Sequence, residues 1–214
     1  MSTGLLMVVL QARMRSERLP GKSLRPLLGK PMLHYVVEGI LSVVSNEEFI
    51  IATSTHPADD AIQSFCETAG VQCLRGDELN VASRFYAIAQ HSDVGTIARM
   101  CGDSPMFDPR VLRCALSCDC GRYGFLSTTG TGVPSGSHVE IIDAGKFCEE
   151  YPRFSTPEHF EHVTRYFYEQ SEHVYRIQDE LLRDGVFAQD EIEWLSKQKL
   201  SVDTEDDFET VEAL

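Results

Sequence analysis

Short apolar runs alternate with amphipathic stretches along the first half of the chain. A continuous apolar run at 5–10 has the length of a buried strand, and three similar runs follow at 49–54, 71–74 and 96–101. Apolar residues recur at helical spacing in four stretches, which are 31–41, 58–69, 81–90 and a segment from Pro109. Strands that alternate with helices of this length predict an α/β fold with a parallel sheet between two layers of helices.

The second half of the chain has a less regular pattern. Short strands are predicted at 125–128, 139–142 and 174–177, and a helix at 158–169. The TGTGVPSGS segment between the first two of these strands predicts a flexible turn or a mobile lid. The pattern assigns no structure to 178–195.

The end of the chain predicts one more strand and helix. The segment 199–203 has the pattern of a strand that ends in a carboxylate, Asp203. Thr204 with Asp207 three residues later resembles a capping box, with Asp in place of the usual Glu or Gln. A terminal helix is therefore predicted from Thr204 to the last residue.

Positive charge is concentrated directly after the first predicted strand. The protein has a net charge of −14, yet the basic segment 13–30 contains six basic residues and one acid, Glu17. The six are Arg13, Arg15, Arg18, Lys22, Arg25 and Lys30. A positive loop at the end of a central strand is placed to bind a polyanion such as a nucleotide triphosphate, although a solvated charge run is the alternative.

Composition narrows the class of protein. A length of 214 residues with 43% hydrophobic content predicts one globular domain, whose portion at 125–195 is less regular. An isoelectric point near 4.8 argues against a nucleic-acid partner. The apolar runs are too short to span a membrane, and no secretion signal is recognisable, so we expect a cytoplasmic location.

Seven cysteines at irregular positions favour reduced thiols. Cys114, Cys118 and Cys120 lack the second ligand pair of a zinc site, so structural roles are favoured.

Two carboxylates follow predicted strands at the edge where the basic segment begins. Asp103 follows the strand at 96–101 and Asp203 ends the strand at 199–203. A carboxylate repels a triphosphate unless a divalent cation lies between them, and Mg²⁺ prefers one or two carboxylates together with phosphate oxygens. Taken singly, Asp103 can also be a turn residue and Asp203 an acid at a helix start.

Two common nucleotide-binding motifs are absent from the sequence. Gly21, Lys22 and Ser23 resemble the end of a P-loop, but Ser16 stands where the P-loop requires Gly. No G-x-G-x-x-G turn is present either. The basic segment must therefore bind phosphate mainly through Arg and Lys side chains.

Three stretches together resemble one known family. QARMRSERLPGK at 11–22, RMCGDSP at 99–105 and SVDTEDD at 201–207 are similar to the cytidylyltransferase family of CMP-sugar synthetases. The nearest branches are the SpsF-type spore-coat-polysaccharide proteins and the acylneuraminate and pseudaminate cytidylyltransferases. Further matches follow in order along the chain: Ala52 to Ser54 with Asp59 and Asp60, Arg75 with Gly76, Pro134 with Gly136, Val139 with Glu140, and Glu161 to Thr164.

The resemblance implies a Rossmann-like nucleotide-diphosphosugar transferase fold of the GT-A type, a three-layer sandwich with a mostly parallel sheet, assembled as a homodimer. The implied reaction transfers CMP from CTP to an acidic sugar and releases pyrophosphate, with Mg²⁺ as cofactor. Lys22, Arg13 and Asp103 are implied as catalytic residues and Asp103 with Asp203 as metal ligands. The implied nucleotide-binding residues are Ala12, Arg13, Arg15, Ser16, Arg18, Lys22, Thr53, Ser54, Arg75 and Gly102. The implied sugar-binding residues are Gly136, His138, Glu140 and His162.

The sequence departs from the family pattern at several positions. Arg15 stands where the family usually has Gly, so it either prevents close backbone approach to phosphate or adds a phosphate-binding cation. His138 replaces an acid of the family's Gly-x-Asp-x-Glu motif, and Asn80 begins a stretch that often reads Asp-Val-Leu. His138 and His162 can also be packed or surface histidines, and Tyr166 with Tyr168 can be core and surface aromatics. The rival functions are transfer from a nucleotide with another base, and nucleotide binding without catalysis.

Overall fold

The computed structural model describes residues 4–170, 174–177, 181 and 187–213. Its strands are β1 (Leu5–Gln11), β2 (Pro26–Leu27), β3 (Lys30–Pro31), β4 (Phe49–Ser54), β5 (Gln72–Gly76), β6 (Val94–Cys101), β7 (Phe125–Ser127), β8 (Glu140–Asp143) and β9 (Val174–Arg176). Its helices are α1 (Met32–Leu41), α2 (Asp60–Ala69), α3 (Val81–Ala89), α4 (Pro109–Ser117), α5 (Cys120–Tyr123), α6 (Ala144–Glu150), α7 (Pro157–Glu161), α8 (Arg165–Glu169), α9 (Gln189–Leu195) and α10 (Glu205–Glu212). Short 3-10 turns lie at Lys22–Leu24, Asn46–Glu48, Pro57–Asp59 and Tyr151–Arg153.

Seven strands form one sheet in the order β5-β4-β1-β6-β8-β7-β9, and β2 pairs with β3 in a separate hairpin. In the large sheet only β8 runs antiparallel to its neighbours among the described strands, while the pairs of β1 with β4 and β6, of β4 with β5 and of β7 with β9 are parallel. The predicted mostly parallel sheet of an α/β fold is confirmed.

The alternation of side chains along β1 explains why both faces of the sheet are covered. Val8 and Leu10 pack into a core with residues of α1, α2 and α4, whereas Val9 packs into a second core with residues of α3, α6 and α8. Both faces are apolar because both are buried, which is why the run at 5–10 shows no polar alternation. The result is the predicted three-layer sandwich.

The strand order reverses direction between β1 and β6. From β1 the chain continues outward through β4 to β5, and then returns to pair β6 on the other side of β1. In sheets of this kind, the loops that follow two such strands separate and leave a crevice at their carboxyl ends. Here those loops begin after Gln11 and after Cys101, which pair with each other in the β1–β6 register.

Two predicted elements are wrong. The segment 199–203 is not a strand: it forms one isolated bridge, between Lys199 and Ser135, and its amides bond outward, from Leu200 to Ser135 O and from Val202 to Asp103 O. The helix predicted at 158–169 is divided into α7 and α8, because Val163 adopts a positive φ of 49°.

Other predictions in the second half have mixed outcomes. The TGTGVPSGS segment begins with a turn at 129–132, as predicted, and its Thr131, Val133 and Ser137 are buried. The capping box at Thr204 and Asp207 is confirmed. Of the unassigned stretch 178–195, α9 is described, whereas 178–180 and 182–186 lie outside the described residues. Among the described helices none is both long and apolar enough to cross a bilayer.

Candidate active site

A cleft of about 370 Å³ opens at the carboxyl ends of β1 and β6. Its lining comes from five parts of the chain: the end of β1 with the basic segment, the start of α3, the end of β6 with the residues after it, the end of α7 and Asp203 before α10. The lining residues include Gln11, Ala12, Arg13, Ser16, Glu17, Arg18, Lys22, Ser23, Val81, Arg84, Cys101, Gly102, Asp103, Glu161, His162 and Asp203. The cleft therefore lies at the point of strand reversal, where this architecture places ligands.

The buried carboxylate of Asp59 anchors the basic segment over this cleft. It accepts hydrogen bonds from the backbone N–H of Met14 at 2.7 Å, from the N–H of Ser54 at 3.2 Å and from the Ser54 hydroxyl. Ser23 adds a second anchor, because its hydroxyl donates to Arg13 O at 3.0 Å. These contacts hold an irregular segment in one conformation, so its cations occupy defined positions.

Lys22 lies at the centre of the site. Its side chain is 9% exposed, and its ammonium donates to Asp103 Oδ2 at 3.2 Å, to Asp203 Oδ1 at 3.2 Å and to Val202 O at 2.6 Å. An ammonium has three donors, and each has an acceptor here. The two carboxylates that the sequence predicts as metal ligands therefore converge on one cation.

Backbone contacts bring Asp103 and Asp203 together although they are far apart in the sequence. The N–H of Val202 donates to Asp103 O at 2.8 Å, which fixes the end of β6 against the segment before α10. Two glycines allow close approaches beside this contact, Gly102 to the end of β1 and Gly136 to the segment before α10. A Cβ at Gly102 would lie 3.1 Å from Gln11 O, and one at Gly136, where φ is +100°, would lie 2.5 Å from Ser201 N.

The charges that line the cleft are balanced. Four basic residues, Arg13, Arg18, Lys22 and Arg84, face four acidic ones, Glu17, Asp103, Glu161 and Asp203. Several are already paired: Arg13 with Glu161 at 3.5 Å and Arg18 with Asp203 at 3.0 Å, besides the Lys22 contacts. The basic segment is thus not a free positive loop, and a polyanion in the cleft must either displace these carboxylates or arrive with a cation.

The structure brings most of the predicted site residues to the cleft. Those that line it are Ala12, Arg13, Ser16, Arg18, Lys22, Gly102, Asp103, His162 and Asp203. Seven others are absent from its described lining: Arg15, Thr53, Ser54, Arg75, Gly136, His138 and Glu140. The second group occupies the surrounding shell, where contacts with other parts of the protein engage most of its side chains.

These contacts explain why the residues of β4 and β5 that are predicted to bind the nucleotide do not reach the cleft. Thr53 is fully buried, and the Ser54 hydroxyl is bound to Asp59. The Arg75 guanidinium donates to Ser54 O at 2.8 Å and to His56 O at 3.1 Å. Ser54 and Arg75 thereby support the anchor of the basic segment.

Glu140 is likewise held by other side chains. It forms a buried ion pair with Arg99, lies 3.1 Å from the Thr164 hydroxyl through each oxygen, and accepts from the Tyr168 hydroxyl at 2.7 Å. The Tyr168 ring packs against the second core, as expected of a core aromatic, and its hydroxyl joins a polar network with Glu140.

Seven residues of the described cleft lining are not among the predicted site residues: Gln11, Glu17, Ser23, Val81, Arg84, Cys101 and Glu161. Gln11 and Glu161 lie in stretches that resemble the family, and Arg84 lies in the helix predicted at 81–90, but the sequence assigns none of these three a role in the site. Arg84 is 2% exposed, and its guanidinium donates to Asp77 O at 3.0 and 2.7 Å. Burial lowers the pKa of this arginine. The sequence does contain a signal for Arg84: it lies among the apolar residues of a predicted helix, and a buried charge needs a partner.

The network also fixes the amide of Gln11. Arg99 Nε donates to Gln11 Oε1 at 3.0 Å. A guanidinium only donates, so the oxygen of the carboxamide must face Arg99 and its NH₂ group points away from Arg99. Among the described residues, no hydrogen bond of this NH₂ group is recorded, so it remains available to a ligand oxygen.

Two further groups near the cleft are neutral at neutral pH. Burial raises the pKa of the Cys101 thiol to about 11. Burial also lowers the pKa of His138, although Glu140 acts in the opposite direction. Neither side chain adds charge to the balance of the site.

A family model described as cytidylyltransferase matches residues 7–140, more than half of the chain. The chain belongs to the cytidylyltransferase family. This cytidylyltransferase is 29% identical over 215 residues to the spore coat polysaccharide biosynthesis protein SpsF of Bacillus subtilis (strain 168). The match covers 98% of this chain and 85% of that protein. It is 34% identical over 111 residues to the 3-deoxy-manno-octulosonate cytidylyltransferase of Aeromonas salmonicida (strain A449), a match to 50% of this chain and 42% of that protein.

Solved structures agree with the fold of this cytidylyltransferase. The structure of a cytidylyltransferase from Leptospira borgpetersenii serovar Hardjo-bovis has a TM-score of 0.86 at 24% identity, covering 98% of this chain and 86% of that one. A CMP:2-keto-3-deoxy-manno-octonic acid synthetase in complex with CTP has a TM-score of 0.66 at 18% identity, covering 98% of each chain. The fold is therefore the Rossmann-like nucleotidyltransferase fold that the sequence predicts.

Proposed function

We propose that this cytidylyltransferase transfers CMP from CTP to an acidic sugar in a Mg²⁺-dependent reaction that releases pyrophosphate. One observation carries the proposal: Asp103 and Asp203 converge on the Lys22 ammonium in a cleft that Arg13, Ser16 and Arg18 also line. Use in surface polysaccharide synthesis and a homodimeric state are further proposals, supported by the resemblance to SpsF-type proteins.

The donor set fits Mg²⁺ that is carried by a nucleotide. Two carboxylates reach the same position, and among the described residues no cluster of three or more His, Cys, Asp or Glu side chains forms a closed metal cage. Mg²⁺ is usually bound through one or two carboxylates plus phosphate oxygens. When bound, the ion neutralises phosphate charge and polarises a phosphoryl oxygen.

The chain's own residues then bind and orient the triphosphate. Arg13 and Arg18 present guanidinium donors at the cleft, and Lys22 supplies a compact positive charge. Ser16 adds a hydroxyl to the lining of the cleft. Chemistry at the α-phosphorus depends mainly on such positioning and on stabilisation of the charge that develops on the leaving pyrophosphate.

The acceptor is proposed to be an acidic sugar bound in the same cleft. The NH₂ group of Gln11 is oriented by Arg99 and is available to a sugar oxygen, and His162 also lines the cleft. Relatives named 3-deoxy-manno-octulosonate cytidylyltransferase support an acidic sugar as the substrate class.

The reaction is tested with CTP, Mg²⁺ and a panel of sugar acids that includes 3-deoxy-manno-octulosonate and N-acetylneuraminate. We expect pyrophosphate release with at least one sugar, and a decrease in kcat of about a hundredfold or more for Asp103→Asn. Asp119→Asn is the matched control, because Asp119 is exposed and makes no side-chain capping bond. CTP binding without turnover on any sugar would favour a non-catalytic protein, and full activity of Asp103→Asn would refute the metal assignment.

A further inference from the structure

Lys22 is the cation that the Asp103–Asp203 pair holds in this structure. Its ammonium is 3.2 Å from an oxygen of each carboxylate and 2.6 Å from Val202 O, and its side chain is 9% exposed. All three of its donors have acceptors. The ion pair is thus complete without a metal ion.

The same two carboxylates are the proposed ligands of a divalent ion. An ion that used them would lie beside the Lys22 ammonium, with little water to screen the repulsion because the group is nearly buried. Asp203 already has other cations nearby, with Arg18 at 3.0 Å and Lys199 at 3.7 Å. A metal ion and the ammonium therefore compete for one position.

We propose that Lys22 and the divalent cation are alternative occupants of the Asp103–Asp203 pair, and that the triphosphate of CTP drives the exchange. Phosphate oxygens give the ammonium a second set of acceptors, so Lys22 leaves the carboxylates as the metal-loaded nucleotide arrives. This inference rests on the proposed function, because that function supplies the metal and the nucleotide. It predicts weak metal binding by the nucleotide-free protein and strong cooperativity between metal and CTP.

The variant Lys22→Gln tests the exchange directly. The amide keeps a donor for Val202 O but removes the charge that the two carboxylates share, which, among the described residues, leaves Asp103 without an ion pair and Asp203 with Arg18 and Lys199. Mn²⁺ binding to the nucleotide-free protein, measured by electron paramagnetic resonance, should tighten at least tenfold, whereas affinity for CTP in Mg²⁺ should fall. Lys30→Gln is the matched control, since Lys30 belongs to the same segment and contacts His34 and Glu38 instead.

Two results would overturn the proposal. One is an Mn²⁺ affinity of Lys22→Gln that is unchanged within twofold or weaker than that of the wild type. The other is a gain in affinity that persists in the double variant Lys22→Gln/Asp103→Asn, because the ion would then be bound elsewhere. Loss of the gain in the double variant supports the exchange.

A measurement on the wild-type protein covers the case in which Lys22→Gln does not fold. In protein labelled with ¹³C at lysine Cε, Mg²⁺ alone should leave the Lys22 resonance in place, and Mg²⁺ with CTP should shift it. If the nucleotide-free protein becomes saturated with Mn²⁺ in the electron paramagnetic resonance titration while the Lys22 resonance stays in place with Mg²⁺ alone, the exchange is contradicted, because metal and ammonium would then occupy the site together. These binding measurements do not depend on turnover, so absence of sugar transfer refutes the proposed function without deciding the exchange.

Discussion

At the scale of single residues, a positive charge near the cleft contributes to phosphate binding only if its side chain reaches the cleft. Arg13 lines the cleft, whereas Arg15, two residues later, is paired with Glu78 at 2.8 Å and is absent from the described lining. Nothing in the sequence indicates that only one of these two arginines reaches the cleft. The direction of each side chain is set by the anchor at Asp59 and by the loop before α3.

The departure from the family pattern at Arg15 is therefore expected to have a small effect. Arg15 is 58% exposed, and exposed ion pairs contribute about 0–1 kcal/mol. Arg15→Gly should change the dissociation constant of CTP by less than about threefold in calorimetric titration, whereas Arg13→Gly should raise it more than about tenfold. A loss of tenfold or more for Arg15→Gly would show that this arginine turns to the phosphates when CTP binds.

At the scale of elements, the start of α10 both caps a helix and places Asp203. Asp207 Oδ2 accepts from the N–H of Thr204 and of Asp203 at 2.9 Å each, and the Thr204 hydroxyl accepts from the N–H of Asp207 at 3.3 Å. One hydrogen-bonded turn thus stabilises the helix end and fixes the backbone of a proposed metal ligand.

Loss of this cap should reduce stability and activity together. Thr204→Ala is expected to lower the free energy of unfolding by about 1 kcal/mol in urea denaturation, and to reduce turnover because Asp203 is held less firmly. Thr210→Ala is the control in the same helix: its hydroxyl is exposed and bonds to Asp206 O at 2.7 Å, so little change is expected. Equal losses in the two variants would contradict a specific role of the cap.

The elements also show what the sequence could and could not predict. The spacing of apolar residues along the chain predicted β1, β4, β6 and the helices α1 to α4, because each of these elements buries a continuous apolar surface. It could not predict the break at Val163, where a buried β-branched residue adopts φ of 49° under tertiary constraint. Nor could it predict that 199–203 bonds to Ser135 and Asp103 instead of joining the sheet. The two carboxylates were predicted as a pair, but their contact with Lys22 depends on side-chain placement.

At the scale of the whole molecule, the Arg99–Glu140 network joins two strands of the sheet to α8. Arg99 lies in β6 and Glu140 in β8, while Thr164 and Tyr168 belong to the cap and body of α8. The side chains of the ion pair are 13% and 8% exposed. Removal of one partner leaves a charge buried without compensation.

Glu140→Ala should therefore be strongly destabilising. We expect the free energy of unfolding to fall by about 3–5 kcal/mol, because the Arg99 guanidinium loses its counter-charge inside the protein. The matched control is Glu149→Ala, since the side chain of Glu149 is 71% exposed and lies 4.0 Å from Lys146. Urea denaturation of both variants tests this, and a loss below about 1 kcal/mol for Glu140→Ala would mean that the network relaxes around the gap.

The contact between Lys22 and Asp203 joins positions 181 residues apart. During synthesis, the chain up to α8 already contains the basic segment and every described parallel strand except β9, but it lacks one carboxylate of the proposed site. On the proposed function, nucleotide and metal stabilise only a chain that has been synthesised beyond residue 203, because ligands shift folding through the state that binds them. A chain that stops before this point receives no such protection, so premature termination should yield a product that is removed by proteolysis whatever the supply of CTP.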